Sequence, residues 1–143
     1  MKYLFYFLIT FVLLIYGCDD SVDSIETYDY SIEQQMGCFC SQGGVWVRLF
    51  VKADTVAYAF RISDNELLDY NDYKSYKSIR GLFDLISQTD TNSYVLDYEM
   101  DSVYNFPSYI YLNPKAIIFS DSTIAIIEDG QLSYTSKNYV KLN

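Results

Sequence analysis

Hydrophobic and polar residues alternate most regularly between Val45 and Lys52. Every second side chain is apolar there, and this period of two is typical of a half-buried strand. The neighbouring segments Tyr28–Cys40 and Thr55–Ile62 also alternate, with turn sequences at 41–44 and 53–54 between them. The pattern therefore predicts a three-stranded antiparallel meander. One face of the third strand is predicted to carry Val56, Tyr58, Phe60 and Ile62.

A different period follows the meander and a polar segment at 63–77. Apolar residues recur three and four positions apart, which predicts a helix with one apolar face. Ser78 is a suitable N-cap because its hydroxyl can accept a backbone N–H of the first turn. The apolar face of this helix is predicted to consist of Ile79, Leu82, Phe83 and Ile86.

Further strands are predicted after the helix, with Tyr94–Met100 the clearest of them. Two more segments, Thr123–Glu128 and Gln131–Thr135, flank Asp129-Gly130, and Asp-Gly between alternating segments indicates a tight β-hairpin. The order of elements predicts an α+β fold. We expect a single antiparallel β-sheet, consisting of a meander, one helix and further strands, with the helix packed on one face.

The first 18 residues have the composition of a secretory signal. Lys2 precedes the apolar run Tyr3–Tyr16, which is too short to span a bilayer, and a small residue, Gly17, precedes Cys18. The end of this run, Ile15 to Cys18, resembles the bacterial lipobox, although a small residue is more usual than Tyr16. The resemblance implies cleavage before Cys18 and acylation of its thiol. An ordinary signal with an incidental Cys18 is the alternative.

This interpretation predicts the organisation and the location of the chain. Residues 1–17 are a lipoprotein signal peptide, 18–26 a lipidated tether and 27–143 a single globular domain. We expect a protein anchored by lipid in the bacterial cell envelope, at the outer membrane on its periplasmic or surface face. Acidic residues just after the lipidated cysteine resemble an inner-membrane retention signal in some bacteria and a surface-export tag in others, so the inner membrane is the alternative. Several acyl chains on one residue would hold it there, since a single chain binds a membrane only marginally.

The acidic composition bears on the partners. The chain carries 19 acidic and 10 basic residues, for a net charge of −9, and removal of Lys2 makes the mature chain more acidic still. A surface of this charge repels nucleic acid and anionic lipid head groups. Membrane contact is therefore expected through the N-terminal lipid, and the remaining candidate partners are an envelope protein or a small ligand.

Several chemistries are excluded by the residues that are absent. The chain has no histidine, which removes Ser-His-Asp and Cys-His catalysis and the usual zinc sites. No phosphate-binding or dinucleotide-binding glycine motif occurs either. We therefore predict no catalytic residues, no metal site and no cofactor. The 16 tyrosines are expected to line the sheet, and an aromatic binding face is the functional alternative.

Cys38 and Cys40 are the two thiols that remain once Cys18 is acylated. An oxidising compartment permits a disulfide between them. Their Cα atoms would be about 6.6 Å apart in an extended strand, near the upper limit for a bridge, and the glycines nearby could curve the chain. A local structural disulfide, two buried reduced thiols and a redox or metal role are the three hypotheses.

Three carboxylates, Asp97, Glu99 and Asp101, alternate along one predicted strand. Such a set could bind calcium or hold a raised pKa. An alternating charged face is more often the solvated face of an antiparallel sheet, so we predict that these side chains are exposed.

The order of several short motifs resembles a family of uncharacterised bacterial lipoproteins, the domain of unknown function family 6174. These motifs lie in Tyr28–Tyr30, Cys38–Cys40, Val45–Ile62, Gly81–Ile86 and Tyr98–Ile110. The family often has Pro where this chain has Ser41, and the segment Ala116–Ile127 looks longer than usual. The resemblance implies a secreted or lipid-anchored small α+β domain and no activity.

Together these observations predict a lipid-anchored lipoprotein of the cell envelope that acts as a non-enzymatic binding or accessory domain. The alternative is an extracytoplasmic enzyme that uses the Cys38/Cys40 pair or carboxylates. A structural or inhibitor-like protein with another envelope protein as its partner is the third hypothesis.

Overall fold

The computed structural model describes most of the predicted globular domain. The residues described are 28–38, 40–115, 117–118, 124–125 and 130–142. The predicted signal peptide, Cys18 and the predicted tether lie outside them. No helix in the described part of the chain is long and apolar enough to cross a bilayer.

Six strands form the main sheet, in the order β3-β2-β1-β8-β5-β4, with every neighbouring pair antiparallel. The predicted single antiparallel sheet, its meander and a helix at Ile79–Gln88 are confirmed. A separate pair of two-residue strands, β6 and β7, forms a small ladder. The strands are β1 (Tyr30–Gly37), β2 (Trp46–Lys52), β3 (Thr55–Arg61), β4 (Tyr94–Met100), β5 (Pro107–Pro114), β6 (Ile117–Ile118), β7 (Ile124–Ala125) and β8 (Leu132–Lys141), and the helices are α1 (Tyr70–Tyr73) and α2 (Ile79–Gln88).

The last strand is placed differently from the prediction. Asp129-Gly130 was expected to join β8 to the strand before it, but β7 pairs with β6, and β8 lies between β1 and β5. Asp129 itself lies outside the described residues. The predicted hairpin is wrong because the buried side chains of β8, among them Tyr134, complete the core between two distant strands. An Asp-Gly sequence indicates only a local turn and does not determine which strands pair.

The predicted face of β3 is wrong, because the strand contains a bulge. Val56 pairs with Val51, and Tyr58 pairs with Phe50, so one extra residue, Ala57, is inserted in β3. An inserted residue reverses the side chains on either side of it. Val56 therefore packs against the core, and Tyr58 lies on the opposite face of the sheet.

The alternation predicted for β2 is confirmed by burial. Val47, Leu49 and Val51 are fully buried, together with Ile32 of β1 and Ile110 of β5. We call this side of the sheet the core face and the other side the outer face. Helix α2 contributes its own apolar side chains to the same core: Leu82 is fully buried, and Ile79, Leu85 and Ile86 pack against the cluster. Phe83, predicted for this face, is exposed instead.

The start of α2 is bonded to the core face by polar side chains. Gln34 points into the core from β1 and is fully buried. Its Oε1 accepts the Lys77 backbone N–H at 2.9 Å, and its Nε2 donates to the Lys77 carbonyl at 3.2 Å and to Ser136 Oγ at 3.1 Å. A buried amide without partners would be costly. These bonds therefore stabilise one position of the segment before the helix.

Two tyrosines on the core face bond the same segment. The Tyr30 hydroxyl oxygen accepts the Ile79 N–H at 2.9 Å, and the Tyr134 hydroxyl donates to the Ser75 carbonyl at 2.9 Å. Burial raises the pKa of Tyr30 and, together with the nearby Tyr76, raises the pKa of Tyr134 to about 12. Both hydroxyls therefore stay protonated at neutral pH. The predicted N-cap is confirmed, since Ser78 Oγ accepts the Gly81 N–H at 3.1 Å.

Replacing Gln34 by Leu should destabilise the domain by about 1–3 kcal/mol, because the Lys77 N–H and C=O lose their buried partner. Gln88→Leu is the matched control, since Gln88 is exposed at the end of α2. Urea unfolding followed by circular dichroism measures both variants. Equal stability of the two would show that the Gln34 bonds do not hold this segment.

Candidate functional site

The outer face of the sheet carries paired charges in its middle and aromatic rings around them. Strand register places Glu33 between Arg48 on β2 and Lys137 on β8. The aromatic residues of this face are Tyr28, Trp46, Phe50, Tyr58, Phe60, Tyr109 and Tyr111, and all of them are partly exposed. The face therefore combines rings, a carboxylate and cations on one surface.

Glu33 is the most buried charged group of this surface. Its side chain is 10 % exposed, whereas that of Arg48 is 47 % exposed. Arg48 Nη2 donates to Glu33 Oε1 at 2.8 Å, and Asn138 Nδ2 donates to Glu33 Oε2 at 2.7 Å. Asn138 has a φ of 53° and lies where the pairing of β1 with β8 shifts its register. The irregularity in β8 thus brings a second donor to the carboxylate.

The charge state of Glu33 follows from these contacts. Burial alone would raise the pKa of this carboxyl, but the hydrogen bonds from Arg48 and Asn138 and the charges of Arg48 and Lys137 outweigh it. The net pKa is lowered from the usual value of 4.5. Glu33 is therefore ionised at neutral pH, and it orients Arg48 on the surface.

Four rings form a cluster at the β2–β3 side of the outer face. Phe50 and Tyr58 stack with centroids 4.6 Å apart, and Tyr28 meets Tyr58 edge-on at 4.9 Å. Phe60 meets Tyr58 edge-on at 5.4 Å. Such pairs stabilise one another by about 0.5–1.5 kcal/mol beyond burial, so the rings are held in fixed positions. Tyr58 and Phe60 belong to this cluster because of the bulge at Ala57.

Trp46 lies beside the charged group. The ammonium of Lys137 is 3.8 Å from the centroid of the Trp46 ring, a cation–π contact. Trp46 is the only tryptophan of the chain, so its fluorescence reports on this surface alone.

Cys38 and Cys40 lie at the end of the sheet that β1 reaches at Gly37. Their sulfur atoms are placed as a disulfide, with the Cα atoms 5.3 Å apart, which is inside the usual range for such a bond. The oxidised state in the native host stays a prediction, and alkylation with and without reductant distinguishes it from two free thiols. A shallow cleft of about 230 Å³ adjoins Cys38 and is also lined by Gly37, Tyr111 and Ser133.

The three carboxylates do not converge. Asp97 and Glu99 are exposed on the edge strand β4, facing Tyr111 and Tyr109 of β5. Asp101 lies beyond the strand, where its Oδ1 accepts the backbone N–H groups of Val103 and Tyr104. Asp101 is thus a turn residue. Within the described part of the chain, no group of three metal-ligating side chains could hold an ion.

The pairing of Glu33 with Arg48, Asn138 and Lys137 was not predicted from the sequence. Glu33 and Arg48 lie in neighbouring strands of the predicted meander, so a correct register would have shown that pair. Asn138 and Lys137 belong to β8, whose position between β1 and β5 was missed. Four tyrosines, Tyr28, Tyr58, Tyr109 and Tyr111, lie on this surface, and an aromatic binding face stays a prediction.

The fold and the outer face define a small single-sheet α+β domain with a surface of aromatic and charged side chains. The pattern of a family of unknown function (DUF6174) matches residues 23–131, which is most of the chain. The protein therefore belongs to that family, as its motifs suggested. Strand β8 lies beyond the matched residues. No curated protein and no solved structure matches the chain.

Replacing Glu33 by Gln should lower the free energy of unfolding at pH 7 by about 1–3 kcal/mol, because Arg48 and Asn138 lose a charged acceptor. The pKa of Glu33 is lower in the folded protein, so its contribution is present above pH 4.5. It is lost as the pH falls through the folded-state pKa. Urea unfolding at several pH values measures this difference between wild type and variant.

Glu99→Gln is the matched control, since Glu99 is an exposed residue of the edge strand. It should change stability little at any pH. A stability difference between wild type and Glu33→Gln that stays constant from pH 7 to pH 3 would contradict the assigned role of the carboxylate.

Proposed function

We propose that this protein is a lipid-anchored, non-enzymatic binding domain of the bacterial cell envelope, and that the outer face of its sheet contacts another envelope protein. In this proposal residues 1–17 are the signal peptide and Cys18 carries the lipid. Helix α2 packs across the core face, which leaves the outer face for the partner.

The composition of the outer face is the observation that carries the proposal. Trp, Tyr and Arg are the residues most enriched among those that dominate protein–protein binding energy. Trp46, Arg48 and Tyr58 occur together there. The aromatic contacts and the Glu33 pair hold them in place before binding, which reduces the entropy lost when a partner binds.

The shape of the surface favours a protein over a small ligand. Sites for small molecules are concave and usually enclose about 300–1,000 Å³. The cleft beside Cys38, at the outer face, has a volume of about 230 Å³ and is open to solvent. A larger open hollow of about 420 Å³, lined by Tyr30, Ile79 and Phe83, lies away from that face. A sheet face with central aromatic and charged residues is better suited to a second protein surface.

The enzymatic alternative is favoured by one observation, the position of Cys38 beside this cleft. A thiol/disulfide enzyme needs a reactive thiolate, and pH titration of the thiols in the folded protein after reduction would show it. Glu33 is poorly suited to general acid catalysis, because its lowered pKa leaves it without a proton at neutral pH.

The anchor and the surface are tested separately in the native host. Mass spectrometry of the purified protein should show a chain that begins at an acylated Cys18. For the surface, a photo-crosslinking amino acid replaces Thr135, which lies on the outer face between Gln35 and Tyr109. The matched control places it at Ser87, an exposed residue of α2.

We expect a discrete crosslinked species from position 135 in intact cells, and we expect Arg48→Glu to reduce it at least several-fold because the substitution reverses the charge beside Glu33. The same species from position 87, or an adduct unaffected by Arg48→Glu, would contradict the outer face as the binding surface. An unmodified Cys18 or an uncleaved leader would contradict the anchor.

A further inference from the structure

One end of the sheet carries a group of exposed apolar side chains. Val103 is 75 % exposed and Tyr104 is 60 % exposed, both in the loop between β4 and β5. Val140 and Leu142 are exposed at the end of β8. These residues lie at the same end of the sheet, since Tyr30 pairs with Lys141 and the ring of Tyr104 contacts that of Tyr139 near the end of β8. We call this group the apolar end.

The chain enters the domain at this same end. The Asp29 N–H donates to the Val51 carbonyl, and the Leu142 N–H donates to the Asp29 carbonyl. Neighbouring strands are about 4.8 Å apart, so the start of β5 lies about 10 Å from β1 across the sheet. The opposite end of the sheet, where the turn at 41–44 lies, is farther from the point at which the chain enters the domain. The difference is the length of β1, which is about 25 Å for eight residues.

The length of chain between Cys18 and the domain limits the distance between the domain and the lipid. Ten residue steps separate Cys18 from Tyr28, and a fully extended chain of that length reaches at most about 35 Å. A chain acylated at Cys18 thus enters the domain at the apolar end and allows that end to reach the bilayer. Exposed tyrosine beside aliphatic residues is typical of the interface between lipid and water.

The loop is also held in a fixed shape. Asp101 Oδ1 accepts the Val103 and Tyr104 N–H groups at 2.9 and 2.7 Å, and the Tyr104 ring lies 5.0 Å from that of Tyr139. The carboxylate of Asp101, the nearest to Val103 in sequence, is therefore hydrogen-bonded to the loop backbone. An interfacial contact would bury these side chains without first ordering them.

We propose that the loop at 101–106 inserts Val103 and Tyr104 into the interface of the bilayer, so that the domain stands on the membrane with its apolar end down. This inference rests on the proposed lipid anchor and adds a second contact to it. The contact is apolar, so zwitterionic lipid should support it, whereas anionic lipid would repel the acidic chain.

The test places a single tryptophan at either end of the domain. The full mature lipoprotein, with Trp46→Phe as background, carries either Val103→Trp or Ser41→Trp; Ser41 is exposed at the opposite end. Each protein is reconstituted in phosphatidylcholine vesicles that contain brominated phosphatidylcholine. Bromine quenches tryptophan only at short range, so quenching measures depth in the lipid.

We expect at least three-fold stronger quenching at position 103 than at position 41, with a blue-shifted emission at position 103 alone. Tyr104→Asp should weaken the quenching at position 103. Equal quenching at the two positions, on protein shown by mass spectrometry to be acylated at Cys18, would overturn the orientation and leave the anchor standing. Protein without acylation at Cys18 would overturn both proposals.

Discussion

The buried amide of Gln34 is the interaction on which the rest of the structure depends. It joins three parts of the chain that are far apart in sequence: β1, Lys77 in the segment before α2, and Ser136 of β8. A buried amide that loses such partners costs more than most single apolar contacts contribute. The start of the helix is therefore bonded to one side of the sheet, and the apolar side chains of α2 extend that core.

The opposite side of the sheet is organised by charge. Glu33, the next residue toward the N-terminus, points away from the core and is nearly as buried as the core residues. Its buried carboxylate is acceptable because Arg48 and Asn138 donate to it. One strand thus provides the polar centre of both faces: an amide that orients the helix and a carboxylate that orients the candidate binding surface.

Local pattern predicted much of this fold. The alternation in β2 and the apolar spacing after Ser78 were sufficient for the meander and for α2, because both depend on residues close in sequence. The position of β8 and the Gln34 bonds depend on pairing between distant segments, which periodicity does not encode. The bulge at Ala57 depends on the detailed register of the β2–β3 hairpin, which a regular alternation does not encode either. The surface around Glu33 was missed for that reason, since its cations come from β2 and β8.

The central claim is that the sheet has one face filled by the core and one face that is accessible to a partner. Hydroxyl-radical footprinting of the purified mature protein, read by mass spectrometry, tests it most directly. The account predicts rapid oxidation of Trp46 and Tyr58 on the outer face and slow oxidation of Tyr76 and Tyr134, which are 3 % exposed. Protection of Trp46 and Tyr58 as strong as that of the two buried tyrosines would contradict it.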